Sequence, residues 1–184
     1  MFSLNVPLPP GVDRLAADLH PKLSGFDRVR ARHTLVCKRF GVEDVREGED
    51  DRADQGDAPR EEALDRLRER LRRPLAGVDP FEVAVTGVGV FDAPRSGSRP
   101  VVYLAVESDE LIRVHRRLCD AFGAVEGIEG DEYVPHITLA RGGNPKPGVV
   151  AGLVDAEFAP VRWRVHALDV WDPEFREVAA SVDL

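Results

Sequence analysis

The chain has 184 residues, of which 43% are hydrophobic, and this fits one globular domain or two small lobes that share a core. The net charge of −8 argues against a protein that coats nucleic acid in general, and no apolar run approaches the about 20 residues that span a bilayer. The N-terminus shows no signal-peptide pattern, and the two cysteines lack metal-ligand spacing. We therefore expect a protein of the reducing cytoplasm without membrane contact. Acidic composition with scarce lysine is typical of adaptation to high salt, although GC-rich coding bias predicts the same composition.

Hydrophobic periodicity predicts an α+β fold in which the order of elements repeats. Dense Asp and Glu predict a solvated loop over 43–60. The two halves of the chain, approximately 1–91 and 92–184, each alternate strands and helices, which indicates one domain built from a duplicated β-α-β unit. We predict strands over 2–7, 28–39, 81–91, 101–106, 134–141, 161–171 and 176–183, and helices over 13–19, 61–73, 108–122 and 147–154.

The most informative motif is His136-Ile137-Thr138-Leu139 in a predicted strand. Because side chains alternate along a strand, His136 and Thr138 share one face and lie about 7 Å apart. An imidazole that moves a proton beside a hydroxyl that holds an oxygen suits work on a phosphate. A lone tetrapeptide of this kind is common by chance, so its partner motif and its flanks carry the argument.

An imperfect second copy, His33-Thr34-Leu35, lies in the strand predicted over 28–39. Basic residues gather around both copies, as an acidic protein with an anionic ligand requires. Surface solvation of the two strands is the plainer explanation of the same cluster. These residues are Arg28, Arg30, Arg32, Lys38 and Arg39 near His33, and Arg141 after His136.

The two motifs, one in each half of the chain, resemble the 2H phosphoesterase superfamily in its 2′-5′ RNA ligase and cyclic phosphodiesterase branch. That family is named for two His-x-Thr/Ser-hydrophobic motifs, and His136 to Leu139 matches this pattern fully. The resemblance implies two lobes with antiparallel sheets facing a central cleft. It also implies acid/base chemistry by two histidines on RNA ends or small nucleotides, as 2′,3′-cyclic phosphate hydrolysis or 2′-5′ linkage chemistry, without a metal or other cofactor. We expect a monomer.

The first motif leaves three alternatives open. If the motif begins at His33, the site keeps its base and loses its hydroxyl. If it is read through Thr34 and Leu35, the hydroxyl stays and Arg32, which cannot act as a base, takes the histidine position. Simple alternation favours the second alternative. A β-bulge at His33-Thr34 would turn both side chains to one face, and this is the hypothesis that the resemblance favours.

The candidate site follows from these motifs. We expect His33 and His136 to be the proton-transfer pair, with Thr34, Thr138, Lys38 and Arg141 on the phosphate. Strict alternation places Arg141 opposite His136, so its role requires the strand to twist or end there. Further aromatic candidates are Tyr133 and Phe40, as base-stacking or core residues, and Trp163 and Trp171, as core residues. A nucleotide- or RNA-binding module with an incomplete site is the alternative function.

Overall fold

A computed structural model describes residues 2–41, 44, 60–94 and 97–184. Apart from its residues 44 and 60, the predicted acidic loop over 43–60 lies outside the described residues. The helices are α1 (Pro10–Leu19), α2 (Arg60–Leu75), α3 (Asp109–Phe122) and α4 (Pro147–Val154). The strands are β1 (Ser3–Val6), β2 (Arg28–Val29), β3 (Leu35–Arg39), β4 (Phe81–Phe91), β5 (Val101–Glu107), β6 (His136–Arg141), β7 (Val161–Val165), β8 (Ala167–Asp172) and β9 (Glu177–Asp183).

The described strands form one antiparallel sheet in the order β7-β4-β5-β6-β3-β1-β8-β9, with β2 paired to β6. The predicted α+β class of antiparallel, duplicated units is confirmed. The two expected sheets are the halves of this continuous sheet, joined where Leu35 of β3 pairs with Ile137 of β6. Each half of the sheet contains strands from both halves of the chain. The late strands β8 and β9 lie beside β1, and the early strand β4 lies beside β5.

Helix α3 packs against strands β3 and β4 and buries its apolar face there. In α3 the residues Leu111, Val114 and Leu118 recur at helical spacing and are fully buried. The helix begins at Ser108, whose side chain accepts a hydrogen bond from the backbone N–H of Leu111, as an N-cap does. Burial of each such apolar side chain stabilises the fold by about 1.5–3 kcal/mol.

Four predicted element bounds need correction. Helix α1, predicted over 13–19, begins at Pro10, because proline fits the first helical position. The strand predicted over 28–39 is interrupted by a bend at 31–32 and becomes β2 and β3. The strand predicted over 161–171 breaks at His166 into β7 and β8, which lie in different halves of the sheet. Helix α2 continues through Pro74, because a proline in the last turn removes a single hydrogen bond while Pro74 itself is buried in the packing.

Strands β3 and β6 contain equivalent β-bulges. The register of β3 against β1 skips Cys37, and the register of β6 against β5 skips Leu139. Leu35 pairs with Ile137, and each bulge lies two residues after its member of this pair, at Cys37 and at Leu139. A local twofold axis at that pair thus relates the two strands, as the duplication predicts. Because of its bulge, β3 has Val36 and Arg39 on the same half-buried face. In β6 the bulge places Thr138 and Arg141 on one face in the same way.

Candidate active site

A cavity of about 640 Å³ lies over the half-buried face of β3 and β6, where the halves of the sheet meet. This volume falls in the range of small-molecule sites. We call it the active-site cavity. Among the described residues, its lining combines one imidazole, two threonine hydroxyls, one carboxylate and five arginines: His136, Thr34, Thr138, Glu132, Arg30, Arg32, Arg39, Arg141 and Arg176.

His136 is held as a proton acceptor. Its Nδ1 atom lies 2.7 Å from the carbonyl oxygen of Val134, and because a carbonyl only accepts, Nδ1 carries the hydrogen. The neutral ring therefore offers an unprotonated Nε2. Burial lowers the pKa of His136; the hydrogen bond to Val134 opposes this, and the charges of Arg39 and Arg141 lower the pKa further. The ring thus stays neutral at neutral pH.

An aromatic pair fixes the plane of the His136 ring. Phe91 stacks on Tyr103 with centroids 4.2 Å apart, and both rings meet His136 edge-on at 5.1 and 5.4 Å. A Cβ at Gly89 would lie 2.5 Å from the Tyr103 ring, so only glycine fits at this position. Gly89 thus lets the Tyr103 ring lie against the backbone of β4 and support the histidine.

The bulge at Leu139 decides the position of Arg141. With one extra residue in β6, Arg141 shares the cavity face with His136 and Thr138 instead of pointing away from it. Its buried Nε atom has no hydrogen-bond partner among the described residues. Burial lowers the pKa of Arg141, and the charges of Arg30 and Arg28 lower it further. A guanidinium in this state attracts an anion.

The equivalent bulge at Cys37 corrects the prediction for Lys38. It turns Arg39 to the cavity and Lys38 to the interior, where the lysine side chain is 1% exposed. The Nζ atom of Lys38 lies 2.7 Å from Glu129, which also accepts the backbone N–H of Arg39. Lys38 therefore anchors the loop before β6, and Arg39 holds the position that the sequence assigned to Lys38.

The structure does not bring His33 and His136 together. His33 lines a neighbouring cavity, with Nδ1 3.6 Å from the Asp13 carboxylate on α1. The bulge hypothesised at His33-Thr34 is absent from that position, because the irregularity in β3 lies at Cys37. The local twofold axis relates Thr34, not His33, to His136. Thr34 lines the active-site cavity.

Arg32, one of the basic residues that the sequence grouped near His33, borders the active-site cavity with Trp171 and Arg176, which the sequence did not assign to a site. The Arg32 guanidinium lies 3.8 Å from the centroid of Trp171 and donates to the carbonyl oxygen of Arg176 at 3.2 Å. Trp171, predicted as core, lines the active-site cavity instead because it falls on the outer face of β8 beside the Asp172-Pro173 turn.

The aromatic residues that the sequence suggested for base stacking or for the core lie in different parts of the structure. Tyr133 lines the active-site cavity, and its hydroxyl donates to the carbonyl oxygen of Val36 at 2.8 Å, so the ring is fixed against β3. Its other face stacks on His115 with centroids 3.8 Å apart. Phe40 is fully buried and belongs to the core. Trp163 lies outside the active-site cavity and donates to the Pro7 carbonyl oxygen.

Within the described ranges, no three His, Cys, Asp or Glu side chains group as metal ligands would. No helix in that part of the chain is long and apolar enough to cross a membrane.

A duplicated antiparallel sheet with a neutral imidazole, two hydroxyls and arginines over its central strands defines a protein of the 2H phosphoesterase class. The chain belongs to the 2′-5′ RNA ligase superfamily, whose family pattern matches residues 55–175, more than half of its length. That match contains His136 and Thr138 and begins after His33 and Thr34.

Similar proteins agree with this assignment. The chain is 36% identical over 84 residues to the "RNA 2′,3′-cyclic phosphodiesterase" of Methanothermobacter thermautotrophicus (strain Delta H). The match spans 45% of this chain and 45% of that relative, so about half of the curated relative is matched. Two solved structures share the fold. The protein TT0787 of Thermus thermophilus has a TM-score of 0.62 at 21% identity, covering 100% of this chain and 97% of that one. E. coli LigT complexed with 3′-AMP has a TM-score of 0.52 at 14% identity, covering 92% and 85%.

Proposed function

We propose that this protein is a phosphoesterase that opens 2′,3′-cyclic phosphates at RNA ends without a metal. The observation that carries the proposal is the unprotonated Nε2 of His136 in a cavity lined by arginines. The name of the Methanothermobacter relative and the 3′-AMP with which LigT is complexed support the same substrate class. The acidic composition supports an intracellular medium of high salt as its working condition.

The proposed chemistry begins at His136. Its Nε2 takes a proton from water, the water oxygen forms a bond to phosphorus, and the bond from phosphorus to one ribose oxygen breaks. Arg39 and Arg141, related by the local twofold axis, neutralise the charge that develops on the non-bridging oxygens. Thr138 holds one of these oxygens through its hydroxyl.

The leaving ribose oxygen needs a proton on the opposite side of phosphorus. In this structure the twofold-related position carries Thr34, whose hydroxyl relays a proton from solvent to that oxygen. The two-histidine mechanism assigns this role to His33 and requires its side chain to leave Asp13 and cross to the active-site cavity. If the 5′-hydroxyl of a second RNA end attacks in place of water and gives its proton to His136, cleavage of the bond from phosphorus to O3′ and protonation of O3′ would form a 2′-5′ linkage.

Turnover of a nucleoside 2′,3′-cyclic phosphate, with a chelator present and in high salt, tests the proposal. His136→Ala is expected to lower kcat by about 10²–10⁴-fold, the usual contribution of one proton-transfer group. His166→Ala is the matched control, since His166 is exposed and lies outside the active-site cavity. A similar loss in His33→Ala would establish the two-histidine mechanism, and an unchanged rate would establish the one-histidine site.

A nucleotide-binding module is the second candidate, and the position of His33 outside the active-site cavity favours it. Such a module retains the arginine-lined cavity and lacks the second proton-transfer group. It predicts no turnover of any cyclic phosphate by the wild type, while a nucleoside 3′-phosphate still binds and is released by salt.

A further inference from the structure

A second cavity, of about 600 Å³, adjoins the active-site cavity. It lies between α1, β1, β8 and the segment that joins β2 to β3, and we call it the second cavity. Four residues line both spaces: Arg30, Arg32, Thr34 and Trp171. The β2–β3 segment and Trp171 therefore form a common wall, and a ligand in the active-site cavity lies beside a space large enough for one nucleoside.

The two cavities differ in charge. The active-site cavity is rich in arginine, whereas among the described residues that line the second cavity the arginines are confined to the common wall. The titratable groups that belong to the second cavity alone are two carboxylates and two imidazoles: Asp13, Asp169, His20 and His33. Carboxylates repel a second phosphate and accept hydrogen bonds from a neutral group with N–H donors.

An unsatisfied acceptor lies on the β1 side of the second cavity. Asn5 and Asp169 stand opposite each other on β1 and β8, so their side chains share one face. Asn5 is 7% exposed, and its buried Oδ1 atom has no hydrogen-bond partner among the described residues. Asp169 accepts one hydrogen bond, from Ser181 at 3.0 Å. Asp169 lines the second cavity, so its carboxylate is the acceptor on this side that a ligand with N–H donors can reach.

We propose that the second cavity binds the nucleotide that precedes the terminal one, so that the substrate is an RNA chain with a cyclic end. The inference rests on the proposed function and names its substrate. Arg30 and Arg32 meet the phosphodiester that links the two nucleotides, since both line both cavities. The carboxylate oxygens of Asp169 face the edge of the base. Bases with an exocyclic amino group fit these acceptors better than uracil, which offers a single ring N–H.

Binding of two probes tests the proposal: a nucleoside 3′-phosphate, and a dinucleotide with the same 3′-phosphorylated terminal nucleoside. Isothermal calorimetry on the wild type is expected to give the dinucleotide a Kd about 10-fold lower or better. In Ala17→Phe, where a ring is added at an exposed position of α1 that lines the second cavity alone, the dinucleotide is expected to lose this advantage. Mononucleotide binding stays unchanged.

The matched control is Ala121→Phe, an exposed alanine of α3 outside both cavities, which keeps the wild-type advantage. Thermal melting verifies the fold of each variant. Should Ala17→Phe not fold, Asp169→Ala replaces it, because Asp169 lines the second cavity alone and its removal is expected to weaken dinucleotide binding alone.

Equal Kd values for the two probes in the wild type, or an advantage that survives both variants, would overturn the proposal. The absence of binding by either probe would overturn it together with the proposed function. Absent turnover with the dinucleotide advantage intact contradicts the proposed function and supports the second cavity as a nucleotide site.

Discussion

The Nδ1 atom of His136 donates to the carbonyl oxygen of Val134, two residues earlier in the chain, over 2.7 Å. The contact is local, yet it sets the chemistry of the ring, since it leaves Nε2 to accept a proton. The carbonyl sits in that place because the loop before β6 is fixed to β3 from behind. There the His115 ring accepts the backbone N–H of Gly130 at 2.9 Å and donates to the Cys37 carbonyl oxygen at 2.6 Å.

The pH dependence of catalysis follows from the lowered pKa of His136. The base must be neutral, so the acid limb of kcat/KM is expected below pH 6.5, the ordinary value for histidine. Arg141→Gln removes a positive charge that lowers this pKa, and the acid limb is expected to move to higher pH. Arg176→Gln is the control, since Arg176 lines the active-site cavity without being a cause of the shift. Equal limbs in Arg141→Gln and the wild type would contradict the electrostatic coupling.

Thr138→Val is expected to lower kcat/KM by about 10-fold or more, because one hydrogen bond to a charged phosphate oxygen is worth about 1.5–3 kcal/mol. The substitution conserves shape in a strand, so stability is expected to change little. Thr86→Val is the control, because the Thr86 hydroxyl binds Glu107 away from the active-site cavity. Steady-state kinetics on both variants measures the loss of kcat/KM. An equal loss at the two positions would contradict a role of the Thr138 hydroxyl in binding phosphate.

Glu129→Gln is expected to reduce the free energy of unfolding by about 3–5 kcal/mol, since it leaves the Lys38 charge buried without its partner. The double variant with Lys38→Met is expected to recover much of that loss because no buried charge remains. Urea unfolding measures both. A double variant no more stable than Glu129→Gln would show that the pair is not the source of the effect.

The acid stability of the turn before β9 depends on Asp172. Burial raises the pKa of this carboxyl, but hydrogen bonds from Arg60 and from the backbone N–H groups of Glu174 and Phe175 outweigh it and lower the pKa overall. A lowered folded-state pKa contributes stability above the unfolded value of about 3.9, and this stability is lost as the pH falls through the folded-state value.

Asp172→Asn is therefore expected to cost about 1–3 kcal/mol of unfolding free energy at pH 7 and progressively less below pH 4. Urea unfolding at both pH values measures the difference. Glu177→Gln is the control, because this exposed carboxylate binds the same Arg60 and exposed pairs contribute about 0–1 kcal/mol. A cost for Asp172→Asn that stays constant with pH would contradict the assigned cause.

Sequence patterns predicted most elements because hydrophobic periodicity is a local property. Helix α4 and strand β4 begin and end where they were predicted, and His136 and Thr138 share a face because two residues separate equal faces of a strand. The bounds that were wrong depend on partners. The strand breaks at His166 because β7 pairs with β4 in one half of the sheet and β8 pairs with β1 in the other half.

The candidate site shows the same division. The sequence by itself determined the family motif, the class of chemistry and the arginines that gather around it. Only the tertiary structure decided which of these side chains share the active-site cavity. A β-bulge is defined by the register against a neighbouring strand, and the sequence of one strand does not determine that register. The bulge at Cys37 turns Arg39, and not Lys38, to the active-site cavity, and the bulge at Leu139 places Arg141 on the same face of β6 as His136. His33 precedes β3 and lines the neighbouring cavity.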